Sequence, residues 1–469
     1  MSDELTVSVG GTSVVVEELL ATARALEQVV LGLGAIRSRV AGADALGARA
    51  WAPGGVPSDA LRAEADLDEA RAILADTESL ARSMAWALTA AAHGYARADD
   101  AVRAILGYLA DEVGAAFGLL LPGAIMAAIA LPGIVVIPAA LGAAAASVLP
   151  RSAVIRATSN PLAIAAVRFL VRGADDALMA GMGIPGPVRQ FVGDRGAGRA
   201  GVPFVGAAIA GLARPLGALR EGPVRVAEAT PLPAAAPVSG FGDRVARIPD
   251  PDELDGAQLV IEQYVMPDGS DRYEVFIAGT IDFGVAETGE PWDMASNVTN
   301  AVGPGSGSYE ATAAALRQAG IGPDDPVQFT GHSQGGAVAA WLAASGEFAT
   351  AGVVSFGGPT GSIPLPDDIP AVLVEHTDDL VVAMGGEQRN DAALVVERYA
   401  SEDTDFETAP FAPAHRIPAY AETARLMDRE RDPRLADAAA RIDSFTEGAV
   451  LVERTAYRCE RVESAPTSS

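Results

Sequence analysis

The feature that most constrains the fold is a glycine-rich turn between a short apolar segment and an alanine-rich one. Val327–Thr330 predicts a strand, Gly335–Ala344 predicts a helix, and Gly331-His332-Ser333-Gln334-Gly335-Gly336 joins them. In so tight a strand-to-helix turn, only glycine leaves room for the backbone. Such a turn pushes the serine hydroxyl out above the sheet edge, and the helix N-terminus favours a developing negative charge. Ser333 is therefore the predicted nucleophile.

Short apolar strands and alanine-rich helices alternate on either side of this turn. Two strands joined by Pro267-Asp268-Gly269-Ser270 predict a hairpin. The predicted strands are Gln258–Val265, Arg272–Ile277, Val327–Thr330, Ala351–Phe356 and Ala371–Glu375, and the helices are Ser308–Ala319 and Gly335–Ala344. This alternation predicts an α/β fold, with a mainly parallel sheet covered by helices on both faces.

A nucleophilic serine needs a base, and the base needs an orienting acid. In the α/β-hydrolase order, the acid follows the serine and the histidine comes last. The chain has four histidines. His93 belongs to an N-terminal helical segment, His332 lies inside the turn, and His376 closes the strand that should present the acid. Elimination leaves His415, in a loop-like segment, as the predicted base.

The acid should lie just beyond the end of a strand. The predicted strand Val372–Glu375 leads into a loop that carries both Asp378 and Asp379. The pattern alone favours Asp379 but leaves Asp378 open, with Glu375 as a further candidate if both fail.

Three segments together resemble the fungal-type class 3 triacylglycerol lipase family. They are Gly331 to Gly336, Phe356-Gly357-Gly358-Pro359, and His376-Thr377-Asp378-Asp379-Leu380-Val381. The resemblance covers roughly residues 255–430 and places the acid at Asp379. It implies an α/β-hydrolase fold and hydrolysis of carboxylic esters, most naturally lipid or phospholipid acyl esters. No metal or cofactor is needed for that chemistry.

The same resemblance suggests an oxyanion site and a substrate site. The family has an Arg-Gly-Ser/Thr element, matched here by Ala278-Gly279-Thr280 with alanine replacing arginine, which puts a structural ion pair of the family in doubt. The backbone N–H and hydroxyl of Thr280 and the backbone N–H of Gln334 would then stabilise the oxyanion. Trp292 and Met294 fall where the family often has a lid. They either line an acyl site or belong to the core.

Residues 1–112 predict a helical hairpin. In the first helix Arg37 interrupts the apolar repeat once, and the second helix carries a heptad seam. One row of that seam is Leu67, Leu74, Ala81, Leu88, Tyr95, Val102 and Leu109. The segment resembles WXG-type substrates of type VII secretion, through Trp51 to Gly54 and the spacing of Tyr95 and Asp99. That resemblance implies a helical partner and a secreted protein. The alternative places Tyr95 in the seam as an ordinary core residue.

Residues 113–150 form an apolar helical segment without a charged residue. The run is long enough to cross a bilayer, but Pro122, Pro132 and Pro138 interrupt it. Two interpretations of this segment remain open, contact with a membrane and a helical pair buried inside the protein, and the second is favoured. Residues 151–238 predict a helical region ending in a Pro/Ala-rich linker at 230–237, and residues 239–469 the catalytic domain.

Composition limits the partners and the compartment. The net charge of -27 argues against nucleic acid as a partner, because phosphate binding needs a basic surface. The single Cys459 excludes an internal disulfide and a cysteine zinc site. The N-terminus lacks the basic and apolar regions of a cleaved signal peptide. A cytoplasmic protein is the default unless type VII-like export or membrane association applies.

Two other functions remain open at this point. The first is an esterase or acyltransferase that acts on small or polyketide-like esters. The second is an exported or membrane-associated helical module whose hydrolase domain is a degenerate scaffold used for binding. The presence of serine, aspartate and histidine together argues against the second.

Overall fold

The computed structural model describes residues 5–9, 24, 27–28, 30–39, 74–75, 78, 82, 151–161, 164, 168, 202–286 and 288–462. The chain divides into two compact units. One comprises Met1–Gly11 with Leu106–Ser469, and the other comprises Thr12–Ile105. The predicted loop at Trp51, the Tyr95 and Asp99 motif and the apolar segment 113–150 lie outside the described residues.

The larger unit contains a nine-stranded sheet with the order β1-β8-β7-β6-β5-β4-β3-β9-β2. Its strands are β1 Thr6–Val9, β2 Val224–Pro231, β3 Leu259–Val265, β4 Asp271–Ile277, β5 Pro326–His332, β6 Ala349–Phe356, β7 Ala371–His376, β8 Leu394–Arg398 and β9 Val450–Arg461. The neighbours from β4 to β8 pair in parallel, and the strands toward both edges pair antiparallel. The predicted α/β class with parallel strands at its centre is confirmed.

Helices cover both faces of this sheet. The described helices of the larger unit are α1 Arg151–Thr158, α2 Val202–Ala213, α3 Gly240–Arg247, α4 Met294–Val302, α5 Gly307–Gln318, α6 Gln334–Ser345, α7 Leu380–Met384, α8 Ile417–Met427 and α9 Pro433–Asp443. The side chains of α5 and α6 pack on one face, together with Val353 of β6. Those of α3, α8 and α9 pack on the other, together with Val354. Consecutive residues of one strand thus enter opposite cores, as a sheet buried on both faces requires.

The predicted hairpin is present in the larger unit. Strands β3 and β4 pair with Leu259 opposite Ile277 and Val265 opposite Asp271. In the turn between them, the backbone N–H of Ser270 donates to Asp268 Oδ1 over 2.9 Å. This short-range bond is the Asx-type turn that the Pro-Asp-Gly-Ser sequence favours.

Both edge strands of the sheet precede residue 239 in the sequence, where the catalytic domain was predicted to begin. β1 pairs with β8, and β2 pairs with β9. Thr230 and Pro231 end β2 instead of opening the linker. β2 is largely exposed, so it lacks the apolar alternation that marks a half-buried strand. At a sheet edge, Pro231 is also tolerated because one side of the strand needs no hydrogen-bond donor.

In the smaller unit, the ionic contacts of Arg37 explain why a charged residue interrupts the apolar repeat of the first predicted helix. Its guanidinium lies 3.1 Å from Glu78 Oε2, and the other oxygen of this buried carboxylate accepts from Arg82 over 2.6 Å. All three residues are helical. The charged residue that interrupts the first apolar stretch is therefore paired with a carboxylate from later in the chain. Of the helices that the described residues form, none combines the length and apolarity that crossing a bilayer requires.

Candidate active site

Ser333 is the single residue between β5 and α6, and its backbone is strained. Its φ of 54° and ψ of -122° lie outside the regions that L-residues favour. The flanking glycines make this turn possible. A Cβ on Gly331 would stand 2.2 Å from the carbonyl oxygen of Gly335, and one on Gly335 would stand 2.4 Å from that of Ile277. Any larger residue at either position would force the turn open.

A hydrogen-bonded chain joins the three predicted catalytic residues. His415 Nε2 lies 2.8 Å from Ser333 Oγ, and His415 Nδ1 lies 2.7 Å from Asp379 Oδ2. Ser333 follows β5 and Asp379 follows β7, so both lie at the carboxyl edge of the parallel strands. His415 is presented by a short 3-10 turn, Pro413–His415. The fold thus collects at one point residues that are distant in the sequence.

Asp379 is held ready to balance a positive charge on His415. Burial by itself raises the pKa of this carboxyl. The charge of His415 and hydrogen bonds from His415, Tyr420 and the Val381 backbone outweigh burial, and the pKa of Asp379 ends below its usual range. Tyr420 Oη donates to Oδ2 over 2.7 Å, and the Val381 N–H donates to Oδ1 over 2.8 Å. Asp379 is therefore ionised at neutral pH.

The two other candidate acids are bonded elsewhere. The oxygens of Asp378 accept from the backbone N–H groups of Ala400 and Ser401, each over 3.0 Å. Burial raises the pKa of Asp378 against those bonds. Glu375 contacts Arg168 Nη2 and a side-chain amide, both at 3.3 Å, and burial raises its pKa to about 7. Of the three carboxylates, Asp379 is the one bonded to His415.

Two further histidines, for which the sequence suggested no task, support the loop that carries His415. His332 Nε2 lies 2.8 Å from the carbonyl oxygen of His415, and His376 Nδ1 lies 2.7 Å from that of Ala414. Burial, followed by the charge of His415, lowers the pKa of His332 to about 3. Burial lowers that of His376 to about 4. Both rings are therefore neutral donors that fix the loop without adding charge beside the base.

Tyr420 contacts the candidate site and was not predicted from the sequence. Its ring stacks on His376, with centroids 3.9 Å apart and planes 6° from parallel. Burial, and then the neighbouring charge of Asp379, raises the pKa of its hydroxyl well above the ordinary value. The hydroxyl stays protonated and can only donate to Asp379. Gly357, at φ 64°, makes room: a Cβ there would stand 2.6 Å from the Tyr420 ring.

The two predicted oxyanion donors lie on segments that adjoin Ser333. Thr280 follows Gly279, where a Cβ would stand 3.2 Å from Ser333 Cβ, so the exit of β4 lies against the serine. Gln334 is the first residue of α6, and the N–H groups of a first helical turn have no acceptor within the helix. Its side chain donates to the carbonyl oxygen of Asp293 over 3.3 Å, which fixes the residue in place.

Compared with protein-family models, curated proteins and solved structures, the chain has no significant match. The geometry of the site is therefore what supports a function.

The two predicted substrate-contacting residues have different surroundings. Trp292 is fully buried in the core between the sheet and helices α5 and α6, as expected of a core residue. Met294 is half-buried beside Ala213 and Leu219, and its sulfur lies 3.5 Å from Asn297 Nδ2. A role for Met294 at an acyl site stays a prediction. Among the described residues, no three His, Cys, Asp or Glu side chains are grouped so that they could hold a metal ion.

Proposed function

We propose that this protein is a serine hydrolase of the α/β-hydrolase type that cleaves carboxylic esters. The observation that carries the proposal is the continuous chain from Ser333 Oγ through His415 to Asp379, at 2.8 and 2.7 Å. It starts at a strained serine between a strand and a helix, the arrangement that exposes a nucleophile at a sheet edge. A degenerate binding scaffold has no need for such an intact chain.

The chemistry follows from the order of donors and acceptors. Ser333 Oγ attacks the acyl carbonyl carbon while His415 Nε2 accepts the hydroxyl proton. The tetrahedral intermediate collapses as His415 gives this proton to the leaving alcohol oxygen, which leaves an acyl-serine. Water then attacks the acyl carbon, His415 takes a proton from that water, and returns it to Ser333 Oγ as the acid departs. Asp379 orients the ring and balances its transient charge.

The negative charge that develops on the carbonyl oxygen needs preorganised donors. The backbone N–H of Gln334, at the start of α6, is one, and the backbone N–H and hydroxyl of Thr280 are the others. Fixed donors in a site of low water content stabilise such a charge without reorganising during the reaction.

Acyl esters of lipids or phospholipids are the proposed substrates. Three exposed apolar side chains lie on segments that follow the carboxyl ends of parallel strands, the edge that also carries Ser333: Phe283 after β4, Met384 after β7 and Phe411 after β8. Exposed apolar side chains on the edge of the sheet that carries Ser333 suit an acyl chain more than a charged substrate. A helical partner, a type VII-like export route and membrane contact for residues 1–150 remain predictions.

The experiment is hydrolysis of a panel of soluble p-nitrophenyl esters and phospholipids by the full chain and by Ser333→Ala. The substitution should lower kcat by about three to six orders of magnitude and leave the melting temperature unchanged. Ser345→Ala is the matched control. It lies at the far end of α6, where Ser345 Oγ donates to the carbonyl oxygen of Leu342 and accepts from the backbone N–H of Glu347. Comparable activity in Ser333→Ala and Ser345→Ala would exclude the proposed nucleophile.

A further inference from the structure

Thr280 has a side-chain partner that determines what its hydroxyl can do. Asn297 Nδ2 donates to Thr280 Oγ1 over 2.9 Å, and the same nitrogen lies 3.5 Å from Met294 Sδ. A thioether has no proton to donate and acts only as a weak acceptor. The amide therefore turns its NH2 group, and not its oxygen, toward both atoms.

This orientation leaves the hydroxyl proton of Thr280 free for another acceptor. A hydroxyl carries one proton and two lone pairs, and Asn297 occupies a lone pair. If the amide oxygen faced Thr280 instead, the hydroxyl would donate to it and would be lost as an oxyanion donor. Gly279 packs against Ser333, and Thr280 directly follows Gly279 in the sequence.

Asn297 is well anchored for such a task. It lies in the first turn of α4, and its backbone N–H donates to the carbonyl oxygen of Asp293 over 3.0 Å. Asp293 caps the helix by accepting from the Ser296 N–H over 3.0 Å, and Arg461 Nη2 binds the same oxygen over 2.9 Å. The start of α4 is thereby tied to strand β9, which limits the directions that the amide can take.

We infer that Asn297 is a positioning residue that holds the Thr280 hydroxyl ready to donate to the oxyanion. This inference rests on the proposed function, because it needs an oxyanion beside Ser333. It extends that function to a residue that does not touch the substrate. The inference predicts the direction of the effect on catalysis. A hydrogen-bond donor at position 297 supports catalysis, and an acceptor of the same shape opposes it.

The test is a double-mutant cycle with Asn297→Asp and Thr280→Val, measured as kcat and KM on a soluble short-chain p-nitrophenyl ester. Asn297→Asp replaces the NH2 group by an oxygen that captures the hydroxyl proton. It should lower kcat by about 10- to 100-fold, with KM within about twofold. In the Thr280→Val background, the same substitution should change kcat by less than about twofold, because no hydroxyl is left to misdirect.

Two further measurements separate positioning from a merely structural role. An alkyl trifluoromethyl ketone forms an adduct on the serine that carries an oxyanion, so its inhibition constant should rise by the factor by which kcat/KM falls. Asn297→Ala removes the donor without adding an acceptor. It should give a smaller loss, under about tenfold, that is again absent in the Thr280→Val background. This variant keeps the test decisive if Asn297→Asp does not fold.

Equal losses with and without the Thr280 hydroxyl would overturn the inference, as would a rise in KM at unchanged kcat. These results would come with an active wild type and so would leave the proposed function standing. A wild type that hydrolyses no ester would overturn both together.

Discussion

Two of the buried polar clusters on the sheet differ in how their groups are arranged, and the difference shows what distinguishes the candidate active site. The first, at the carboxyl edge of the parallel strands, is the chain of Ser333, His415, Asp379 and Tyr420. The second lies between β4 and helices α3 and α9. There Arg244 and Glu274, both fully buried, lie 3.2 Å apart. Arg244 also contacts Asp443 at 2.5 Å, and Gln328 donates to Glu274 over 2.9 Å.

Burial and hydrogen bonding are common to both clusters and so do not identify function. In the second cluster a cation faces anions, and no proton has to move for the contacts to be satisfied. Burial raises the pKa of Glu274 to about 7, and Arg244 opposes that rise. In the first, donors and acceptors are ordered toward one strained hydroxyl. We therefore expect substitutions in the first cluster to change activity, and substitutions in the second to change stability.

The largest change in activity among these substitutions is expected for Asp379→Asn, in the first cluster. The amide cannot balance the charge that His415 gains, and it can present an N–H where the ring N–H needs an acceptor. We expect kcat to fall by about 10³ to 10⁴ with a smaller change in KM. Steady-state hydrolysis of a soluble ester measures both constants.

Asp378→Asn is the matched control, one residue away on the same loop. Asp378 accepts from backbone N–H groups of the segment after β8 and not from His415, so its amide variant should lose less than about tenfold in kcat. Equal losses in the two variants would mean that the acid has been misassigned.

Arg244→Met should show the reverse behaviour. Removing the cation leaves the buried carboxylate of Glu274 without its ionic partner, which costs about 3–5 kcal/mol in the free energy of unfolding. The specific activity of the folded fraction should stay within about twofold of wild type, because the hydrogen bonds of Arg244 go to groups outside the Ser333 chain, namely Gly240, Asp443, Glu274 and Ile442. Urea unfolding and active-site titration measure the two quantities.

The double variant Arg244→Met/Glu274→Gln should recover part of that loss, because the unpaired charge is removed with its partner. A loss of activity without loss of stability in Arg244→Met would break the distinction between the two clusters.

Glu375 lies at the same edge of the sheet as Ser333, at the end of β7, but it pairs with a cation as the carboxyl groups of the second cluster do. Burial raises its pKa from 4.5 to about 7, against the opposing charge of Arg168, while Glu397 and Asp379 add to the rise. The folded protein thus binds this proton more tightly than the unfolded chain does. The stability it contributes is fully present below pH 4.5 and is lost as the pH rises through about 7.

Glu375→Gln cannot ionise, so its stability should not show this loss. Relative to wild type, the variant should be nearly neutral at pH 4.5 and more stable by roughly 2–3 kcal/mol at pH 8. Chemical denaturation at the two pH values measures the difference. A difference that is independent of pH would show that the carboxyl is not protonated in the folded protein.

Tyr420→Phe should give the smallest effect. It removes one of the hydrogen bonds to Asp379 but keeps the ring that stacks on His376. Losing one hydrogen bond to a charged group is worth about 1.5–3 kcal/mol at most, and Asp379 keeps the His415 and Val381 bonds. We expect kcat to fall by about 3- to 30-fold. Tyr420→Leu should be more damaging, because it also removes the stacking.

The sequence predicted the centre of the fold better than its edges, for physical reasons. The parallel strands are buried on both faces, so apolar runs such as Val372–Glu375 mark them clearly. β1 is short, and β2 is exposed and ends in Pro231, so neither edge strand has a period that distinguishes it from a loop. The predicted start of the catalytic domain at residue 239 therefore falls after both.

At the candidate site, the sequence predicted the residues of the hydrogen-bonded chain, but it did not predict the residues that hold them in position. Ser333 is marked by its glycines, and His415 was found because so few histidines exist. Tyr420 and Asn297 lie on helices α8 and α4, where nothing in the local pattern distinguishes them from packing or surface residues. Their contacts arise only when those helices pack beside the exits of β7 and β4.

The most direct test of the central claim is covalent labelling of the full chain with a fluorophosphonate, followed by intact mass and peptide mapping. Such a probe reacts with a serine only where a base and an oxyanion site activate it. We expect one adduct per chain, on Ser333, which should be absent in Ser333→Ala and should form much more slowly in Asp379→Asn. No adduct on the folded wild type, or an adduct on another serine, would contradict the central claim.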